Sequence, residues 1–110
     1  MDMKKGDIWV IDAGNFDGHE QSGIRPAVIV TNVTGPTVVV IPCTTNVKAL
    51  KFQHTIELFP TKENNLTVNS IAMVFQIRAI DIKRLKNKVG KLSTNELKLI
   101  NKVIKKMFEI

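Results

Sequence analysis

The 110-residue chain holds a single cysteine, Cys43, no tyrosine, one tryptophan and two histidines. One cysteine excludes an internal disulfide and fits a reducing cytoplasm. With so few Cys and His side chains a structural zinc site is not expected, and neither is a cofactor. No apolar run approaches the ~18 residues that a membrane span needs. Met1-Asp2-Met3-Lys4-Lys5 leads into no signal-peptide core, so the expected compartment is the cytoplasm, away from the membrane. Repeats, low-complexity tracts and linkers are also missing, and residues 1–110 read as one domain.

What the chain does have is a globular composition, 44% hydrophobic and 24% charged, which argues against disorder. A domain of this size removes roughly two-thirds of the unfolded surface from water. The net charge is +6 and lies almost wholly in the last third, where ten of the 16 basic residues face Asp81, Glu96 and Glu109. Such a balance permits a nucleic acid or an acidic protein as partner without requiring either.

Short strands precede one helix. Asp7 to Ile11 reads as a first strand and Pro26 to Thr31 as a second. Thr37 to Ile41 reads as the antiparallel partner of the second, closed by Pro42. The unbroken apolar character of both points to burial on two faces. Gln53 to Leu58 alternates like a half-exposed strand, Ser70 to Ile77 is apolar enough for another buried one, and Lys86 to Leu92 ends the series. Asn64-Asn65 marks a loop. Ser93-Thr94-Asn95-Glu96 is a capping box. After it Leu97, Ile100, Ile104, Met107 and Phe108 share one helical face, opposite Lys98, Lys102, Lys105 and Lys106. The fold class is therefore mainly β with a C-terminal helix, a small antiparallel barrel on which the helix packs.

Two loops carry chemistry. Residues 12–24 form a long polar connection ending in Gly18-His19-Glu20-Gln21-Ser22-Gly23-Ile24-Arg25-Pro26; connections of that length in compact domains are often functional. Arg25 is the last polar residue before the core and offers a rigid fork of donors suited to phosphate. The plainer alternative is a surface arginine paired with a carboxylate such as Glu20. Cys43 to Phe52 is the second loop, carrying Thr44, Thr45 and Asn46.

Taken in order, Lys5-Gly6-Asp7-Ile8-Trp9, Gly18-His19-Glu20-Gln21 to Arg25-Pro26, Ile41-Pro42-Cys43-Thr44-Thr45, His54-Thr55-Ile56-Glu57-Leu58 and Gln76-Ile77-Arg78-Ala79-Ile80-Asp81 resemble five collinear blocks of the PemK/MazF family of toxin endoribonucleases. The resemblance implies an SH3-like antiparallel β-barrel that forms a homodimer. It implies sequence-selective, metal-independent cleavage of single-stranded RNA (mRNA) through 2′-OH attack. It also implies a cognate antitoxin whose acidic C-terminal tail occupies the RNA groove.

On that resemblance Arg25 is the principal catalytic residue, stabilising charge on the phosphorane, and Thr44 is the catalytic threonine. Arginine is a poor proton carrier, its pKa lying above about 12. His19 and Glu20 are the available acid and base candidates, histidine being the residue type that titrates near neutrality. Gln21, Thr45, Asn46, Phe75, Gln76 and Arg78 are the candidate substrate contacts. Phe75 could stack a base or belong to the core. Some family members carry an arginine and an acidic residue where this chain has Met73 and Phe75, and neither of these moves a proton. Cys43 is expected to be a buried small hydrophobe. Two other functions share the fold: a non-catalytic barrel binding RNA or protein, and a gyrase poison. The latter family's Trp-Gly-Ile ending is absent here, where the chain ends Met107-Phe108-Glu109-Ile110.

Overall fold

A computed structural model describes residues 3–15 and 18–110. Phe16 and Asp17, within the expected 12–24 loop, lie outside the described residues, as do Met1 and Asp2. Among the described residues seven strands form one antiparallel sheet: β1 Asp7–Asp12, β2 Ile24–Ile29, β3 Thr37–Thr44, β4 Thr55–Leu58, β5 Ser70–Met73, β6 Arg78–Asp81 and β7 Leu85–Lys91. One helix follows, α1 Thr94–Phe108. The strand order is β4-β5-β3-β2-β1-β7, with β6 on the same edge of β3 as β5.

The apolar runs are explained by two cores, one on each face of the sheet. Ile8, Val28, Ile41 and Cys43 point to the face that α1 covers through Leu97, Ile100, Ile104 and Met107. Trp9, Ala27, Ile29, Val38 and Val40 point to the other, with Ile80 and Leu85. Alternate residues of β2 and β3 thus serve different cores, and neither face of these strands can be polar. The capping box forms as expected: the Ser93 hydroxyl accepts from Glu96 N (3.1 Å) and the Glu96 carboxylate from Ser93 N (2.8 Å). Phe108, expected on the buried face, is exposed, because it lies in the last turn just before the chain reverses hand at Glu109 (φ 58°).

Three expectations change. Pro42 lies inside β3 and does not close it. Its missing N–H is harmless there, since β6 partners Thr37–Val40 and β5 partners Cys43–Thr44, leaving position 42 between the two. The apolar stretch from Ser70 to Ile77 is not one strand; it breaks into a 3-10 turn at Val74–Gln76 as the chain passes from one half of β3 to the other. The sheet also does not close into a barrel. Its hydrogen-bonded path stops at β4 and β7, and the gap is bridged by residues 59–69. There Lys91 N donates to Glu63 O (3.1 Å) and the Asn65 amide to Val89 O (3.2 Å). Gly90 makes that approach possible, since a Cβ on it would stand 2.5 Å from Asn64 O. No helix of the described residues is long and apolar enough to cross a membrane.

Candidate active site

Arg25 stands in β2 opposite Ile11 of β1, where the polar loop enters the sheet. Its guanidinium is held by two carbonyls: Nε donates to Ser22 O (3.0 Å) and Nη1 to Cys43 O (3.2 Å). It thus spans from the loop to the end of β3, and arrives one residue from Thr44. Burial pulls the Arg25 pKa down, with Cys43 acting the other way. The same burial pushes the Cys43 thiol up to about 12, Arg25 opposing. Cys43 is therefore a protonated core residue at neutral pH and no nucleophile.

Thr44 ends β3, and its Oγ1 accepts from Asn46 N (3.2 Å), which leaves the hydroxyl proton to be donated elsewhere. Asn46 in turn caps a 3-10 turn, Val47–Lys51, through Lys48 N (3.0 Å). This turn falls in what the sequence suggests is loop.

Besides Arg25, the loop is fastened by Gln76 in the β5–β6 connection and by Arg78 at the start of β6. Gln76 accepts from Gln21 N (3.4 Å) and donates to His19 O (3.1 Å), while the Arg78 guanidinium donates to Gln21 O. One amide and one guanidinium thereby fix His19 and Gln21. Gly23, at φ 82°, lets the loop turn back so that its N–H reaches Gly14 O (2.8 Å). Arg78 is held below its ordinary pKa chiefly by burial, then by the charges of Arg25 and Arg84, against the pull of Glu20. The Arg25 and Arg84 guanidiniums therefore share one field with Arg78, and the Glu20 carboxylate opposes them. Glu20 itself is exposed and folds back over Gly18.

Between loop and 3-10 turn lies a cleft of about 430 Å³, within the size range of small-molecule sites. Of the residues singled out in the sequence, His19, Gln21, Thr44, Asn46, Phe75 and Gln76 line it. Arg25 and Arg78 do not, and reach it through Cys43 and Gln21. Thr45 lines a separate hollow with Pro26 and Val68. Lys48, Lys51 and Phe52, not singled out in the sequence, form a further wall beside buried Met73. The available signal was two lysines three apart beside an aromatic, next to the capping Asn46. Among the described residues no three His, Cys, Asp or Glu side chains gather as metal ligands would.

Residues 4–108 match the family model of PemK-like, MazF-like toxins of type II toxin–antitoxin systems. The chain belongs to that family. Among its relatives, an endoribonuclease MazF of Staphylococcus saprophyticus subsp. saprophyticus is 37% identical over 106 residues, 93% of this chain and 88% of the relative. The crystal structure of MazF from Deinococcus radiodurans superimposes with a TM-score of 0.83 at 20% identity, covering 100% of this chain and 99% of that one. A mycobacterial endoribonuclease in complex with its cognate antitoxin superimposes at 0.75 with 17% identity, over 98% and 96% of the two chains. At such identities these two neighbours establish the MazF fold, an antiparallel sheet with one C-terminal helix, while the family rests on the sequence matches.

Proposed function

We propose that this PemK/MazF-family protein is a sequence-selective, metal-independent endoribonuclease, the homodimeric toxin of a toxin–antitoxin pair, cutting single-stranded RNA. The observation that carries the proposal is the convergence of Arg25, anchored by the Ser22 and Cys43 carbonyls, on the strand end where Thr44 faces the cleft. The 2′-oxygen attacks the adjacent phosphorus, the P–O5′ bond breaks, and the products are a 2′,3′-cyclic phosphate and a 5′-hydroxyl. Arg25 offers the guanidinium N–H groups that the Ser22 and Cys43 carbonyls do not engage to the phosphorane, a task for preorganised donors. The Thr44 hydroxyl donates to a non-bridging oxygen. His19, the histidine that lines the cleft, takes the proton of the 2′-OH, and water returns one to the departing 5′-oxygen.

Glu20 is assigned to the field around Arg78 rather than to the reacting atoms. Gln21 and Asn46 contact the substrate from opposite walls. Gln76 and Arg78 act by holding the loop. The net charge of +6 and the lysines at the cleft suit both an RNA backbone and the acidic tail of an antitoxin. Induced expression in bacterial cells without an antitoxin is expected to stop growth, and co-expression of the antitoxin to restore it. Normal growth in cells that accumulate the folded protein would refute the toxin assignment.

A further inference from the structure

Two of the five phenylalanines meet at one wall of the cleft. Phe52 is 51% exposed and Phe75 36% exposed, and neither belongs to a core cluster. Their centroids are 5.5 Å apart with the planes 48° from parallel, so the rings touch and nothing fits between them. Lys51 Nζ sits 5.3 Å from the Phe52 centroid and steadies that ring. Lys48, three residues earlier, lies on the same side of the short turn, because positions three apart in a 3-10 helix eclipse. Phe75 is fixed from below, its N–H donating to the carbonyl of His54 (3.3 Å), itself in a left-handed conformation (φ 61°).

We propose that Phe52 and Phe75, flanked by Lys48 and Lys51, form a stacking subsite for one unpaired RNA base next to the scissile phosphate. The proposal rests on the endoribonuclease reading and names how that site grips its substrate. The base lies against the ring pair, and the two ammonium groups meet the phosphates on either side of it. Placement next to the reacting phosphate follows from the shared cleft, whose other walls carry Thr44 and His19.

The ring pair, which has no hydrogen-bonding group, reads no base edge. Gln76 has its carbonyl and an N–H engaged by the loop, and the Asn46 carbonyl is engaged by Lys48 N. Every base has a π-face, so the subsite tightens binding whichever base enters. Sequence preference must come from other positions.

The test is a substrate RNA in which each nucleotide around the cleavage point is replaced in turn by an abasic one, with kcat/KM measured for wild type, Phe52→Leu and Phe75→Leu. Leucine preserves apolar packing and removes the π-face; Phe75→Trp restores it, and thermal unfolding checks that each variant folds. At one position the abasic change is expected to lower wild-type kcat/KM by about 5- to 150-fold. The leucine variants should show a comparable loss on intact RNA, chiefly in KM, and little further loss on that abasic substrate. The four natural bases there should differ only a few-fold. Multiplicative losses at every position, or unchanged KM in the leucine variants, would overturn the subsite. So would unchanged RNA affinity alongside weakened antitoxin binding, which would assign the rings to the protein partner. A second readout separates this proposal from the enzymatic one. In a 2′-O-methyl oligonucleotide, 2-aminopurine at that position should lose fluorescence on binding wild type and not on binding Phe75→Leu. Quenching without any RNA cleavage would sink the enzyme and keep the subsite; cleavage without quenching would do the reverse.

Discussion

Arg25→Ala is expected to lower single-turnover RNA cleavage by about 10²–10³-fold or more, the effect of deleting a preorganised donor aimed at developing charge. The protein should remain folded. What the mutation frees are two carbonyl oxygens, Ser22 O and Cys43 O, at a half-buried position that water can reach, which costs about 1 kcal/mol. Arg25→Lys is the sharper comparison. It keeps the charge and loses the fork that grips both carbonyls while presenting further N–H groups to phosphate. It should recover little of the lost rate. Cleavage of end-labelled RNA, run beside thermal unfolding of each variant, separates loss of chemistry from loss of fold. A rate for Arg25→Ala within tenfold of wild type would remove Arg25 from the mechanism.

Asn64→Ala is expected to be the most damaging single truncation for stability, at about 3 kcal/mol or more. Asn64 is fully buried, and its amide is engaged on both sides. Oδ1 accepts from Thr61 N (2.9 Å) and Leu66 N (3.1 Å), while Nδ2 donates to Phe59 O (2.9 Å) and Glu96 Oε2 (3.2 Å). The side chain therefore organises the segment bridging β4 and β7 and joins it to the capping box of α1. Truncation leaves four partly buried partner groups unpaired around a fully buried position, at the one place where the sheet is open. For a domain of this length the loss corresponds to a fall in Tm of roughly 12–24 °C. Asn64→Asp keeps the acceptor and replaces the donor by a carboxylate facing Glu96, so it should be no better tolerated. Urea unfolding gives the number directly; a loss below about 1 kcal/mol would show that the bridge contributes little.

The sequence made legible what is decided locally. The capping box works within four residues, and β2 and β3 announce themselves because both faces are buried and every position must be apolar. Arg25 was visible as the last polar residue before such a run. Features set by distant partners were not visible. Asn64 reads as a loop marker, and only the approach of Gly90 and Glu96 makes it a buried keystone. Val74–Gln76 is apolar enough for a strand and turns because β3 changes partner around Pro42. An expectation of closure could not foresee that the edges of β4 and β7 would be joined by a loop. At the site, Gln76 looked like a substrate contact, yet its amide is engaged with the backbone of residues more than fifty positions earlier. Phe52 and Lys51 drew no attention because their meaning comes from Phe75 across the cleft.

The most direct measurement is incubation of the purified protein with a long single-stranded RNA in EDTA, followed by mapping of the fragment ends. Discrete fragments carrying 5′-hydroxyl and 2′,3′-cyclic phosphate ends, cut at a recurring short sequence, are expected. Intact RNA from folded, antitoxin-free protein, or cleavage that appears only when a divalent metal is restored, would contradict the proposed function.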